Sequence, residues 1–156
     1  MPTYVFAVAD RVLVPFDGSP YSEKVLEYAL GLSAVSLTLL AVVDPFDVDP
    51  ERLGFQSPTG VAGLPGLPPE WYEKARDAAR ERLAEACERA AESTISCSST
   101  VCMGRPARQI VAYTTENDVD QVVTGTHGRP LVSRVPLGSV AETVVRRSPV
   151  PVTVVR

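Results

Sequence analysis

Gly125 to Ser139 reads GTHGRPLVSRVPLGS: two glycines three positions apart, nine intervening residues, then a glycine followed by a serine. The β-branched run Val122-Val123-Thr124 leads into it, and a helical pattern from Val140 to Arg147 leads out. Strand, glycine-bearing loop and helix N-terminus is the order in which α/β proteins hold a phosphate. Backbone N–H groups converge at such a loop, and the helix dipole favours an anion.

Working outward, apolar β-branched runs alternate with helical patterns along the chain. Arg11 to Pro15 (RVLVP), Ser36 to Val43 (SLTLLAVV), Ile95 to Cys102, Asp120 to Thr124 and Val150 to Val155 are predicted strands. Ser19-Pro20 supplies an N-cap and an N1 proline for a helix reaching Leu32, with Tyr21, Val25, Tyr28, Ala29 and Leu32 on its apolar face. A long helix runs from Pro69 to about Ser93, with Tyr72, Ala75, Ala79, Leu83, Ala86 and Ala90 along one stripe. Pro106 to Glu116 is a third helix, and the helix from Ser139 stops at Ser148-Pro149, with Arg146 and Arg147 complementing its C-terminal dipole.

Such alternation predicts a parallel sheet with helices on both faces. The strands are apolar throughout rather than on alternate positions, as strands buried on two sides must be. Asp44 to Pro68 interrupts the pattern with five prolines and four glycines. It leaves the carboxyl end of the second strand, the edge where open α/β sheets bind ligands, and reads either as a lid or as a plain surface loop.

The chain has 156 residues, enough for one domain with its own core. It is taken as one unit, 1–156, with residues 1–10 as an apolar extension and 44–68 as a long flexible loop. Net charge is −4, which gives a nucleic-acid partner no electrostatic support. The seven arginines between Arg105 and Arg156 bias the C-terminal third towards an anionic small ligand, or simply make a solvated surface. Tyr4 to Ala9 is too short for a signal peptide core, and nothing approaches a membrane-spanning length. Cys87, Cys97 and Cys102 have no metal-ligand spacing and no even-numbered framework. Five positions apart on one strand, Cys97 and Cys102 face opposite ways, so reduced thiols and a cytoplasmic location are expected.

Standard nucleotide and hydrolase signatures are absent: no Gly-x-x-x-x-Gly-Lys-Ser/Thr, no Gly-x-Gly-x-x-Gly after the first strand, no His-Glu-x-x-His and no Gly-x-Ser-x-Gly. What is present resembles the universal stress protein family. Gly125-x-x-Gly128, nine residues, then Gly138-Ser139 is similar to the family's ATP-binding pattern without a gap. The likeness extends to RVLVPFDGSPYSEKVLEYAL at the first strand and helix, to LLAVVDP at the end of the second strand, and to SPVPVTVVR at the C-terminus.

The resemblance implies a Rossmann-like, single-domain open five-stranded parallel sheet of order 3-2-1-4-5, as in the adenine nucleotide alpha hydrolases. That order puts a topological switch point between the first and fourth strands. Pro15 and Asp17 would then flank the same crevice as Thr124 and Gly125. By the same resemblance, Gly125 and Gly128 let backbone approach the phosphates, Arg129 reaches phosphate oxygens, and Gly138, Ser139 and Val140 offer helix N-terminal amides. Val42 would read an adenine edge with its backbone, although core packing explains a valine there equally well. Ser139-Val140-Ala141-Glu142 is also a capping box, which needs no ligand. Asp17 would accept ribose hydroxyls or share a Mg²⁺ with the phosphates. Pro130 departs from the small residue frequent at that position and removes one backbone donor.

The function implied is an ATP-binding regulatory module of the stress response, with AMP or ADP as other forms of the ligand and a homodimer paired through 150–155. No catalytic or metal-ligating residue stands out, so any ATP hydrolysis would be slow. Two alternatives stay open: a universal stress protein that binds no nucleotide and works through dimer or partner contacts, and a slow ATPase.

Overall fold

β1 (Arg11–Pro15) is a five-residue strand whose three central residues, Val12, Leu13 and Val14, are buried. It is the middle of a five-stranded sheet of order β3-β2-β1-β4-β5, every pairing parallel. The other strands are β2 (Ser36–Val43), β3 (Ser96–Met103), β4 (Gln121–Gly125) and β5 (Val152–Val155). The helices are α1 (Pro20–Leu30), α2 (Pro69–Ala90), α3 (Pro106–Glu116) and α4 (Ser139–Arg147). This computed structural model describes residues 11–32, 36–45, 68–126 and 137–156. The expectations for the N-terminal extension, for most of the long loop, and for Gly128, Arg129 and Pro130 lie outside the described residues.

The handedness of the crossovers decides which helix covers which face. The chain moves from β1 to β2 to β3 in one direction, then returns past β1 and moves the other way to β4 and β5. Right-handed crossovers therefore put α1 and α2 on one face and α3 and α4 on the other. The core divides in the same way. Val25, Leu26 and Ala29 of α1 and Ala79, Leu83 and Ala86 of α2 pack on Val12, Val14, Leu37, Leu39 and Val123. Ile110 of α3 and Val144 of α4 pack on Leu13, Leu40 and Val122. Neighbouring strand residues belong to opposite clusters, which is the two-residue period of a strand buried on both sides.

Local chemistry sets the helix starts. Ser19 caps α1 by accepting from the Ser22 amide at 3.2 Å, with Pro20 at the first helical position. The buried face of α1 is Ser22, Val25, Leu26 and Ala29, spaced three, one and three residues apart. Tyr28, expected inside, is instead 45% exposed, because it lies off that stripe. The predicted stripe of α2 is buried at Ala79, Leu83, Ala86 and Ala90, and its small residues let the helix lie close on the sheet.

The cysteines require a correction. Cys87, in the last turns of α2, forms a disulfide with Cys97 of β3, their Cα atoms 5.5 Å apart. Cys97 and Cys102 do not bridge, as their opposite orientation dictates, and Cys102 is the free thiol. The expectation of reduced thiols fails because spacing along one strand carries no information about a cysteine on a neighbouring helix. The short turn after α2 folds the helix end back beside the start of β3, and that long-range placement makes the pair. Among the described residues no helix is long and apolar enough to cross a membrane.

Candidate functional site

The order of the strands makes the site. β1 leads to α1 on one face while β4 leads to α4 on the other, so the sheet parts at its carboxyl edge between β1 and β4. A cavity of about 350 Å³ opens there, within the size range of small-molecule sites. Its floor is Pro15, Leu40, Val42 and Thr124, and its walls are the first turns of α3 (Pro106, Ile110) and α4 (Ser139, Val140, Ala141). Asp17 and Asp44 stand at the rim.

At one end the cavity offers unpaired strand backbone. The β1–β2 ladder stops with the Phe16 N–H donating to the Leu40 carbonyl at 2.9 Å. Backbone groups alternate in direction along a strand, so Val42, two residues beyond Leu40, turns its N–H and C=O to the same side. Val43 turns the other way, and its carbonyl accepts from Gly104 of the β3 side at 2.9 Å. Among the described residues no backbone hydrogen bond from the β1 side meets Val42. Its donor and acceptor face the cavity, a pair suited to the edge of a heterocycle.

At the other end lies the start of α4. Gly138 is its N-cap, with no side-chain capping bond. The Gly138 amide is spent on the Thr126 carbonyl at 2.7 Å, and the Gly138 carbonyl accepts from Glu142 at 2.9 Å. The capping box expected of Ser139 and Glu142 is therefore not formed. Ser139 is the first helical residue rather than the cap, and Glu142 turns to Arg146 at 2.7 Å. An N1 residue cannot cap its own helix, which leaves the amides of Ser139, Val140 and Ala141 without an intrahelical acceptor. The expectation that Gly138 offers an amide is also corrected, since Thr126 takes it.

α1 behaves differently. The Ser19 hydroxyl takes the Ser22 amide of its first turn, and Asp17 Oδ1 accepts from the Ser19 amide at 2.8 Å. Asp17 is thus oriented by the turn it belongs to, and among the described residues its other oxygen has no hydrogen bond. Of the helix ends around the cavity, α3 and α4 carry the uncapped positive dipole ends. Among the described residues no cluster of three or more His, Cys, Asp or Glu is arranged to hold a metal ion.

The structure brings together Pro15, Asp17, Val42, Thr124, Gly125, Gly138, Ser139 and Val140 in one cavity. Gly128 and Arg129 are outside the described residues. The α3 wall was not anticipated. Pro106 at N1 and the handedness of the β3–β4 crossover together carry that signal, since they place the start of α3 over the same edge as α4.

The universal stress protein family model matches residues 9–156. The chain belongs to the universal stress protein family. A Bacillus subtilis stress response protein, NhaX, is 27% identical over 166 residues, covering 95% of this chain and 98% of its own. Among solved structures, the universal stress protein UspA from Lactobacillus plantarum superposes with a TM-score of 0.76 at 24% identity, covering 96% of this chain and 99% of its own. A universal stress protein in complex with cAMP does so at 0.67 and 22%, covering 96% of this chain and 98% of its own. One from Archaeoglobus fulgidus in complex with dAMP does so at 0.62 and 17%, covering 96% and 99%. At these identities the structures establish the universal stress protein fold of this chain.

Proposed function

We propose that the cavity binds an adenine nucleotide, with ATP as the ligand that fills it, and that the chain serves the stress response as a nucleotide-dependent regulatory module. The observation that carries this is the polarity of the cavity. Among the described residues, a backbone donor and acceptor without a partner at Val42 lie at one end, and the amides of Ser139, Val140 and Ala141, without an intrahelical acceptor, at the other. A base with a donor–acceptor edge and an anionic tail matches both ends at once, and related structures hold cAMP and dAMP. Val42 would bind the adenine edge through its backbone. Apolar Leu40, Pro106 and Ile110 would exclude water around the ring. Asp17, with one oxygen engaged, would keep the other for ribose hydroxyls or a Mg²⁺ shared with the phosphates.

The same reading includes a homodimer through β5. The Pro151 and Val155 carbonyls accept from Val122 and Thr126, so alternate residues point towards β4. The Val152 and Val154 amides then point to the open edge, where a second β5 would satisfy them.

Calorimetric titration of ATP into nucleotide-stripped protein tests the central assignment. Saturable binding at one site per chain is expected, with heat lost when ATP is replaced by a pyrimidine nucleoside triphosphate. Absence of heat and of any thermal stabilisation at millimolar ATP would leave a universal stress protein acting through protein contacts alone.

A further inference from the structure

The cavity floor is apolar except at Thr124. This residue is 6% exposed, and it lines the cavity beside Pro15, Leu40 and Val42. Among the described residues its hydroxyl has one interaction, with the carbonyl of Gly125 at 3.5 Å, which is at the far limit of hydrogen bonding for a hydroxyl. Valine has nearly the same shape and stands at the two preceding positions, Val122 and Val123, both fully buried. A buried hydroxyl without a good partner is a liability that valine would avoid. Its place on the floor of a ligand cavity gives it something to bind.

Position along the floor says which part of a ligand that is. Leu13 pairs with Val122 across β1 and β4, and the same register carried two residues on sets Thr124 level with Pro15. Pro15 in turn pairs with Leu40. Thr124 is therefore two strands, about 10 Å, across the sheet from β2. Val42, on β2, marks the heterocycle end, and the first turn of α4 marks the anionic end. A group that far from Val42 lies beyond a purine ring and short of the phosphates, beside the sugar.

Resting on the adenine-nucleotide assignment of the cavity, we infer that the Thr124 hydroxyl hydrogen-bonds the sugar of the bound nucleotide and so sets a preference for the ribose form. Asp17 approaches the sugar from the exposed rim, whereas Thr124 does so from the dry floor. There a hydrogen bond is electrostatically stronger and its loss is felt more.

The test compares wild type with Thr124→Val and Thr124→Ser, titrated with ATP, AMP, 2′-deoxy-ATP and 3′-deoxy-ATP. Thr124→Val is expected to bind ATP and AMP about tenfold more weakly, by the same factor for both, while Thr124→Ser keeps most of the affinity. One deoxy form should bind wild type weakly and be indifferent to Thr124→Val, which identifies the partner hydroxyl. The ligand-free melting temperature of Thr124→Val should equal or exceed that of wild type, since an unpaired buried hydroxyl has been removed. Equal affinity of wild type and Thr124→Val for all four ligands overturns the inference while leaving the nucleotide site intact. A loss confined to ATP and absent with AMP also overturns it, because the hydroxyl would then serve the phosphates. If wild type binds none of the four, the nucleotide assignment itself is wrong and the inference goes with it.

Discussion

Replacing Ser139 with aspartate separates stability from ligand binding by sign. Ser139 is exposed at the first position of α4, and its hydroxyl caps nothing. In the free protein a carboxylate there faces the positive end of the helix and should stabilise the fold by about 0.3–1 kcal/mol. That raises the melting temperature of a chain this size by about 1–3 °C. In the complex the same carboxylate stands beside the amides at the start of α4 and repels the phosphates held there. With a separation of about 6 Å and an effective dielectric of about 40, each phosphate charge costs about 1.4 kcal/mol. Two such charges cost about 2.8 kcal/mol, or about a hundredfold in affinity. Differential scanning fluorimetry and ATP titration on the same preparation read both effects, with adenosine as a control whose affinity should change less than about threefold. ATP binding that survives Ser139→Asp undiminished would refute the placement of the phosphates at α4. A lowered melting temperature would refute the claim that this helix end is unsatisfied.

Four further outcomes are expected, three from the fold and one from the proposed β5 dimer. Native protein should show one reactive thiol and three after reduction and denaturation, with Cys102 labelling slowly at neutral pH because burial, reinforced by the Glu116 carboxylate, pushes its thiol up. Cys87→Ser should cost up to about 3 kcal/mol in denaturant unfolding, the value for a short closed loop; no change would mean that the two sulfurs are not bonded in solution. Val154→Pro removes an amide that points away from β4, so sedimentation should show a monomer with little loss of monomer stability; an unaltered dimer would place the interface elsewhere. Gly18 has φ +80°, and a Cβ there would lie 2.8 Å from Arg82 Cδ. The arginine tail can move but the backbone angle cannot, so Gly18→Ala should cost about 1–2 kcal/mol in chemical unfolding.

Where the sequence was legible, one local signal sufficed. Arg11–Pro15 and Ser36–Val43 are continuous apolar runs, and Pro20, Pro69 and Pro106 each mark the first residue of a helix. Eight of the expected site residues meet in one cavity because both halves of the site hang on strand ends, and strand order fixes those. What the sequence did not show depends on where separate elements come to rest. The Cys87–Cys97 bond needs the end of α2 beside the start of β3. The exposure of Tyr28 depends on which side of α1 meets the sheet. Ser-x-x-Glu at Ser139 is a capping box only if the helix starts one residue later than it does. The Gly138 carbonyl bond to Glu142 moves the cap back by one and frees the serine.

The most direct measurement is a crystal structure grown in saturating ATP. Density should fill the cavity between β1 and β4, with the adenine edge on the Val42 backbone and the phosphates on the amides of Ser139, Val140 and Ala141. Crystals in which that cavity stays without nucleotide, or holds one with its phosphates towards Val42, would contradict the assignment.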